Sequence, residues 1–151
     1  MSLLEAEIKY LTSQKLGRLA TIGPDGVPQN SPVGYHYNEE LGTIDIFGWA
    51  MAESRKFRNI QANPNIAFVV DDVVALDPWD VRGLEIRGWA ETPNDPVAAQ
   101  RWRDKIDSAA YQRVREFPAT DDVIRLHAVR VYSWGVLPGT VGIQRRVAAG
   151  S

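Results

Sequence analysis

The sequence predicts an α+β domain built on a small antiparallel barrel. Three observations carry this: period-two apolar alternation recurs along most of the chain, tight-turn signals separate the alternating runs in hairpin order, and only two or three segments switch to helical spacing. The expected organisation is one domain over residues 1–151, with a core from 16 to 137 and a tail from 138 to 151.

Ser2 followed three residues later by Glu5 reads as a capping box, after which Leu4, Ile8 and Leu11 recur at helical spacing, so a short helix is expected to about Thr12. Leu16 to Ile22 alternates, with Leu16, Ala20 and Ile22 on one side, and ends in the tight turn Gly23-Pro24-Asp25-Gly26. Val27 to Tyr37 resumes as a strand whose Pro28 and Pro32 cannot donate ladder hydrogen bonds, which places it at an edge, a bulge or a break in pairing. After a turn at 38–42, Thr43 to Trp49 completes a three-stranded meander.

Glu53 to Ala62 carries Phe57 and Ile60 on one helical face and stops at Asn63-Pro64. Ile66 to Asp71 and Leu84 to Glu91 are the fourth and fifth strands, with Asp72 to Gly83 a loop holding Pro78 and Trp79. Asn94 or Asp95 caps a longer helix with Pro96 in its first turn and Val97, Trp102, Ile106 and Ala110 on one stripe. Val123 to Val136 is the sixth strand, apolar on both faces, and Gly139 to Ser151 reads as a mobile tail.

Composition narrows the function. The chain has no cysteine and two histidines, His36 and His127, which removes thiolate catalysis, disulfides and cysteine zinc sites and makes a histidine metal cage unlikely; no metal site is expected. Five tryptophans, five tyrosines, four phenylalanines and twelve glycines remain, which suits a protein whose chemistry comes from a cofactor. The net charge of −2 argues against coating nucleic-acid phosphates. No apolar run approaches the roughly 20 residues of a membrane helix, and Met1 to Glu5 lacks a signal-peptide pattern, so the expected location is the cytoplasm.

Two features could hold a ligand. Ser54-Arg55-Lys56, with Arg58 behind, opens a helix directly after a strand, where basic side chains and unpaired N–H groups suit a phosphate or carboxylate; a solvated basic face is the competing reading. Asn30-Ser31-Pro32-Val33-Gly34 is a proline-broken strand along which a flat ring could lie, or simply an irregular barrel strand.

Residues 16–28 (LGRLATIGPDGVP), then Ser54-Arg55-Lys56-Phe57-Arg58-Asn59, then Leu84-Glu85-Ile86-Arg87-Gly88, then Ile124-Arg125-Leu126-His127 and Tyr132-Ser133-Trp134-Gly135, together resemble the pyridoxamine 5'-phosphate oxidase-like split barrels. Within them the chain is most similar to the branch that uses the deazaflavin coenzyme F420. The resemblance implies a six-stranded split barrel of the FMN-binding type, forming a homodimer with two cofactor sites between protomers. It implies that Asn30, Ser31, Pro32, Val33 and Gly34 lie against the cofactor ring, that Phe47 and Gly48 line the same site, and that Ser54, Arg55 and Lys56 hold the cofactor phosphate. It also implies that Trp134 reaches towards the ring, although packing at an interface would equally suit that tryptophan.

The chain lacks the terminal substrate-binding segment of the vitamin B6 oxidases, and Asn30 and Ser31 stand where flavin enzymes often carry a further basic residue. The first departure argues against vitamin B6 oxidation and the second favours F420 over FMN; the poly-glutamate tail of F420 could meet Lys15, Arg18 or Arg58. The expectation is therefore an F420-dependent reductase passing hydride to a small organic acceptor. An FMN oxidase or reductase of the same fold, and a non-catalytic F420-, flavin- or haem-binding protein, are the alternatives. No catalytic acid or base is required; Tyr35 and His36 are weak candidates for donating a proton, since a histidine at a strand end more often serves structure. Trp79 and Trp49 could wall the substrate pocket, or simply be core.

Overall fold

The computed structural model describes residues 1–105 and 120–149. Within them run α1 (Glu5–Ser13), β1 (Leu16–Ile22), β2 (Pro28–Gly34), β3 (His36–Asn38), β4 (Thr43–Ile46), α2 (Arg55–Ala62), β5 (Asn65–Leu76), β6 (Trp79–Glu91), α3 (Pro96–Lys105), β7 (Ile124–Trp134) and β8 (Ile143–Val147), with one 3-10 turn at Met51–Glu53. All strand pairs are antiparallel, in the order β2-β1-β5-β6-β7-β4-β3, with β8 added along β7.

The two ends of this order are consecutive in the chain. Six spacings of about 4.8 Å would hold β2 and β3 about 29 Å apart in a flat sheet. Only Tyr35 joins them. The sheet must therefore curl until its ends meet, which gives the α+β split barrel expected from the sequence. The break replaces the single strand expected over residues 27–37.

Aromatic packing fixes the closure. The Tyr35 hydroxyl donates to the carbonyls of Leu11 at 2.5 Å and Gln14 at 3.1 Å, at the end of α1. Its ring meets Phe68 edge-on, with centroids 5.3 Å apart. Phe68 is fully buried and occupies the space a side chain at Gly17 would need: a Cβ there would lie 2.3 Å from its ring tip. Around it, Leu11, Leu19, Ile46, Leu84, Ile86, Leu126 and Val131 form the barrel interior.

This packing inverts the expected face of β1. Gly17, Leu19 and Thr21 point inward, whereas Leu16 is 56% exposed. Glycine and threonine read as surface residues, but one makes room for a ring and the other accepts a hydrogen bond from Asn59 at 3.1 Å. The first helix cap also differs from the expected Ser2–Glu5 pair. Leu4 is the N-cap and has no acceptor, so the Glu7 carboxylate reaches back to its N–H at 2.8 Å.

The residues expected as the tail contribute β8, whose Arg146 forms an ion pair with the buried Glu7 and so clamps α1 to the far side of the barrel. The segment expected as a loop, Asp72 to Gly83, instead extends β5 and β6 into one long hairpin. With β3 separate and β8 added, the sheet has eight strands where six were expected.

A second small cluster seats α3. Phe47 stacks on Trp102 at 5.1 Å and packs with Ala98, Ala99 and Val123. Beneath it lies a buried polar network: Arg125 donates twice to the fully buried Asp45, each at 2.9 Å, and once to Asp95, also at 2.9 Å. Asn38 and Thr43 complete Asp45 at 3.0 and 3.1 Å. Of the two expected caps of α3, Asn94 and Asp95, it is Asp95 that accepts from the Ala98 N–H, at 3.0 Å. The stripe positions Ile106 and Ala110 lie outside the described residues. Among those residues no helix is long and apolar enough to cross a membrane.

Tyr35→Phe removes the donor shared by two carbonyls at the closure and is expected to lower unfolding free energy by about 1–2 kcal/mol in urea titration. The Ala98 N–H and then Arg125 hold the Asp95 carboxyl below its ordinary range. Its contribution is present above the unfolded value of about 4 and is lost as pH falls through the folded value. Asp95→Asn is therefore expected to be less stable at pH 7 and to show a shallower stability loss between about pH 5 and pH 2 than the wild type.

Candidate functional site

The site begins at the N-terminus of α2. Ser54 is its N-cap, with Oγ accepting from the Phe57 N–H at 3.3 Å and donating to the Met51 carbonyl at 2.7 Å. Its hydroxyl is thus engaged within the turn, which orients the residues that follow. Phe57 and Ile60 anchor the helix in the core as expected from their spacing.

Arg55 and Arg58 project from the exposed side and, with Asn59 and Asn63, face the β1–β2 turn across an open cleft of about 970 Å³. Neither arginine makes an ion pair among the described residues, although Asp25 also lines the cleft. One oxygen of that carboxylate accepts from the Val27 N–H at 3.1 Å. Two uncompensated guanidiniums over apolar walls suit an anionic ligand with several acceptor oxygens. Lys56 does not line the cleft; it is half-buried, and burial lowers its pKa.

Asn59 is the residue that sequence reasoning left out. It is buried and donates to Thr21 and to the Gln29 side chain at 3.0 Å, tying α2 to β1 and β2. Its place one helical turn beyond Arg55, on the same helix face, was the available signal.

The proline-bearing strand is an edge, as its composition requires. All seven residues of β2 pair with β1, and its other side is unpaired within the described chain. Asn30, Pro32 and Gly34 point outward, Ser31 is half-buried and Val33 is buried, so an outward-lying ring would meet the first three and the backbone. Of β2, Pro28 and Gln29 line the cleft beside α2, whereas Asn30 to Gly34 do not.

Other expected site residues lie apart. The Phe47 ring is committed to Trp102, which leaves Gly48 and the backbone at the end of β4 to border any site there. The Tyr35 hydroxyl is held by two carbonyls, and burial pushes its pKa up; this corrects its expected role as a proton donor. His36 lines a separate pocket of about 220 Å³ with Glu40, Arg101 and Lys105. Burial, and then Lys105, lower its pKa and favour the neutral imidazole. His127 stacks on Trp89 at 4.0 Å, which suits a structural part.

Trp134 is the furthest removed. Its indole lies over Gly83, where a Cβ would approach to 2.0 Å. It is not among the residues that line the cleft. A single chain therefore does not bring Trp134 to the cleft. Among the described residues no group of acidic, histidine or cysteine side chains could hold a metal.

Comparison with known proteins is consistent with this architecture. The family described as pyridoxamine 5'-phosphate oxidase matches residues 4–135. The chain is 41% identical over 136 residues, 90% of its length and 85% of the relative's, to 5a,11a-dehydrotetracycline/5a,11a-dehydrooxytetracycline reductase of Streptomyces rimosus subsp. rimosus. Among solved structures, conserved hypothetical protein Rv2991 of Mycobacterium tuberculosis superposes with a TM-score of 0.68 at 29% identity, covering 94% of both chains. A haem-binding protein of Mycobacterium smegmatis superposes at 0.71 and 22% identity, over 95% of this chain and 57% of its own. That level of identity speaks to the fold.

Arg55→Ala/Arg58→Ala is expected to weaken binding of whichever cofactor the wild type takes, F420 or FMN, by about tenfold or more without moving the thermal midpoint. Lys56→Ala is expected to cost less. Quenching of tryptophan fluorescence during titration measures both.

Proposed function

We propose that this chain, which belongs to the pyridoxamine 5'-phosphate oxidase family, is an F420-dependent reductase that passes hydride to a conjugated double bond of a polycyclic organic acceptor. The observation that carries the reading is the 41% identity, over 90% of the chain, to a dehydrotetracycline reductase. An oxidoreductase follows from that likeness and from the family. The cofactor and acceptor are our inference.

The charge of the cleft supports F420. Arg55 and Arg58 are spaced along one helix face and free of ion pairs among the described residues, which suits a phosphate followed by a chain of carboxylates better than a single phosphate. Asn30, on the ring strand, offers amide hydrogen bonds without a cation. When bound, reduced F420 supplies a low-potential hydride.

The chain's own part is to bind and orient. Arg55 and Arg58 hold the anionic portion, the Asn59 amide keeps α2 at a fixed distance from β2, and the outward backbone of β2 positions the ring edge. Closing such a site against water and holding reactants in line is the main work asked of a scaffold with no acid–base machinery. Reduction of one carbon–carbon double bond consumes one hydride and one proton. Tyr35 is not available to give that proton, because both of its acceptor carbonyls are structural.

The working form in this reading is a homodimer, in the cytoplasm. Trp134 does not line the cleft of its own chain, so a site that uses both takes them from two copies.

FMN is the alternative that the family description favours. Titration of the apoprotein with each cofactor separates them: F420 is expected to bind and to support reduction of a dehydrotetracycline, with FMN binding at least about tenfold weaker. Tight FMN binding with no response to F420 overturns the F420 reading.

A further inference from the structure

β1 pairs β5 only through Val69, and β7 pairs β6 only from Gly83 onward. Residues 73–81 are therefore a two-stranded ribbon with no third strand paired to it among the described residues, an arrangement that is marginal in water by itself. It nonetheless exposes Leu76 at 77% and Trp79 at 66%.

These side chains share a face. Trp79, Val81 and Gly83 alternate along β6 without a bulge, and Leu76 is the cross-strand partner of Trp79, so all lie on one side. Trp134 lies on that side too, over Gly83, and its partner on β8 is Ile143, 70% exposed. The outcome is an apolar stripe, Ile143–Trp134–Val81–Trp79/Leu76, on an outward surface. Exposed apolar stripes of this kind mark binding surfaces.

We infer that this stripe is the acceptor-binding wall of a second copy's cleft, supplied in trans, and that it selects broad, planar, apolar acceptors. The inference rests on the reading above, in which Trp134 of one copy serves the cleft of the other. The ribbon is the direct continuation of the strand that Trp134 packs on, so it goes where Trp134 goes. Trp79, four residues past Gly83, extends the aromatic wall by about 13 Å. Asp77 and Asp80 at the tip make no ion pair among the described residues, and neither do Arg55 and Arg58; opposite charges at the two surfaces steer two copies into this approach.

The chain has no cysteine, so engineered cysteines report proximity without background. Trp79→Cys chains mixed with Asn30→Cys chains and treated with a short bismaleimide are expected to cross-link between copies. A dimer by sedimentation that fails to cross-link overturns the inference, and a monomer overturns it together with the two-copy site.

The second arm is selectivity. Leu76→Ser/Trp79→Ser is expected to raise KM for a dehydrotetracycline about tenfold, while cofactor affinity and turnover of cyclohex-2-enone stay within about twofold. An equal loss on both acceptors, or no loss on either, overturns it. If the wild type binds neither F420 nor FMN, the functional reading fails, whereas the cross-link still decides whether the ribbon reaches the second copy's β2.

Discussion

One residue separates the two end strands of a seven-strand path, and that covalent constraint shapes the rest of the molecule. With only Tyr35 between β2 and β3, an open sheet is geometrically impossible. Closure then has to be held, and the residues at the seam do so in three ways: hydrogen bonds from Tyr35 to the end of α1, an edge-on contact with Phe68, and a glycine at 17 that leaves the ring its place. Each contact is worth a kilocalorie or so, but they act on one seam, where loss of any one strains the others.

Closure also creates the candidate site. It leaves β2 with one free edge and sets α2 across from the β1–β2 turn, with Asn59 bridging the two. The cleft between them presents two guanidiniums without an ion pair among the described residues, while the exposed apolar side chains Leu76, Trp79 and Ile143 lie outside it. In the proposed two-copy site, one surface offers charge and an open strand edge and the other an aromatic stripe. The buried Arg125–Asp45–Asp95 network holds α3 and the end of β4 rigid beside them.

The antiparallel barrel, the helix capped by Ser54 and the cap at Asp95 were legible because each is written in local signals: alternation, turn residues and capping side chains. The proline-broken edge strand was legible for the same reason. Three features were not. The inward face of β1 is carried by Gly17 and Thr21, whose burial depends on Phe68 and Asn59 far along the chain. The hairpin over residues 72–83 holds Pro78, a glycine and several aspartates, which locally read as a loop; its strands exist through cross-strand pairing. β8 is short and polar, and it is kept in place by β7 and by the Glu7–Arg146 pair. Of the candidate site, the basic helix start was visible in sequence, but the separation of Trp134 from it was not, since strand order is a property of the whole sheet.

The central claim is that one working cleft takes its cationic side from one copy and its aromatic wall from another. Subunit mixing tests it most directly: a chain carrying Arg55→Ala/Arg58→Ala is combined with a chain carrying Trp134→Ala, each impaired as a homodimer. In a two-copy site, the mixed dimer has one cleft with both arginines and an intact tryptophan opposite, so activity returns to about half of the wild-type level per dimer. Activity that stays at the average of the two impaired homodimers would contradict the account, because it would place both sets of residues in the same chain's site.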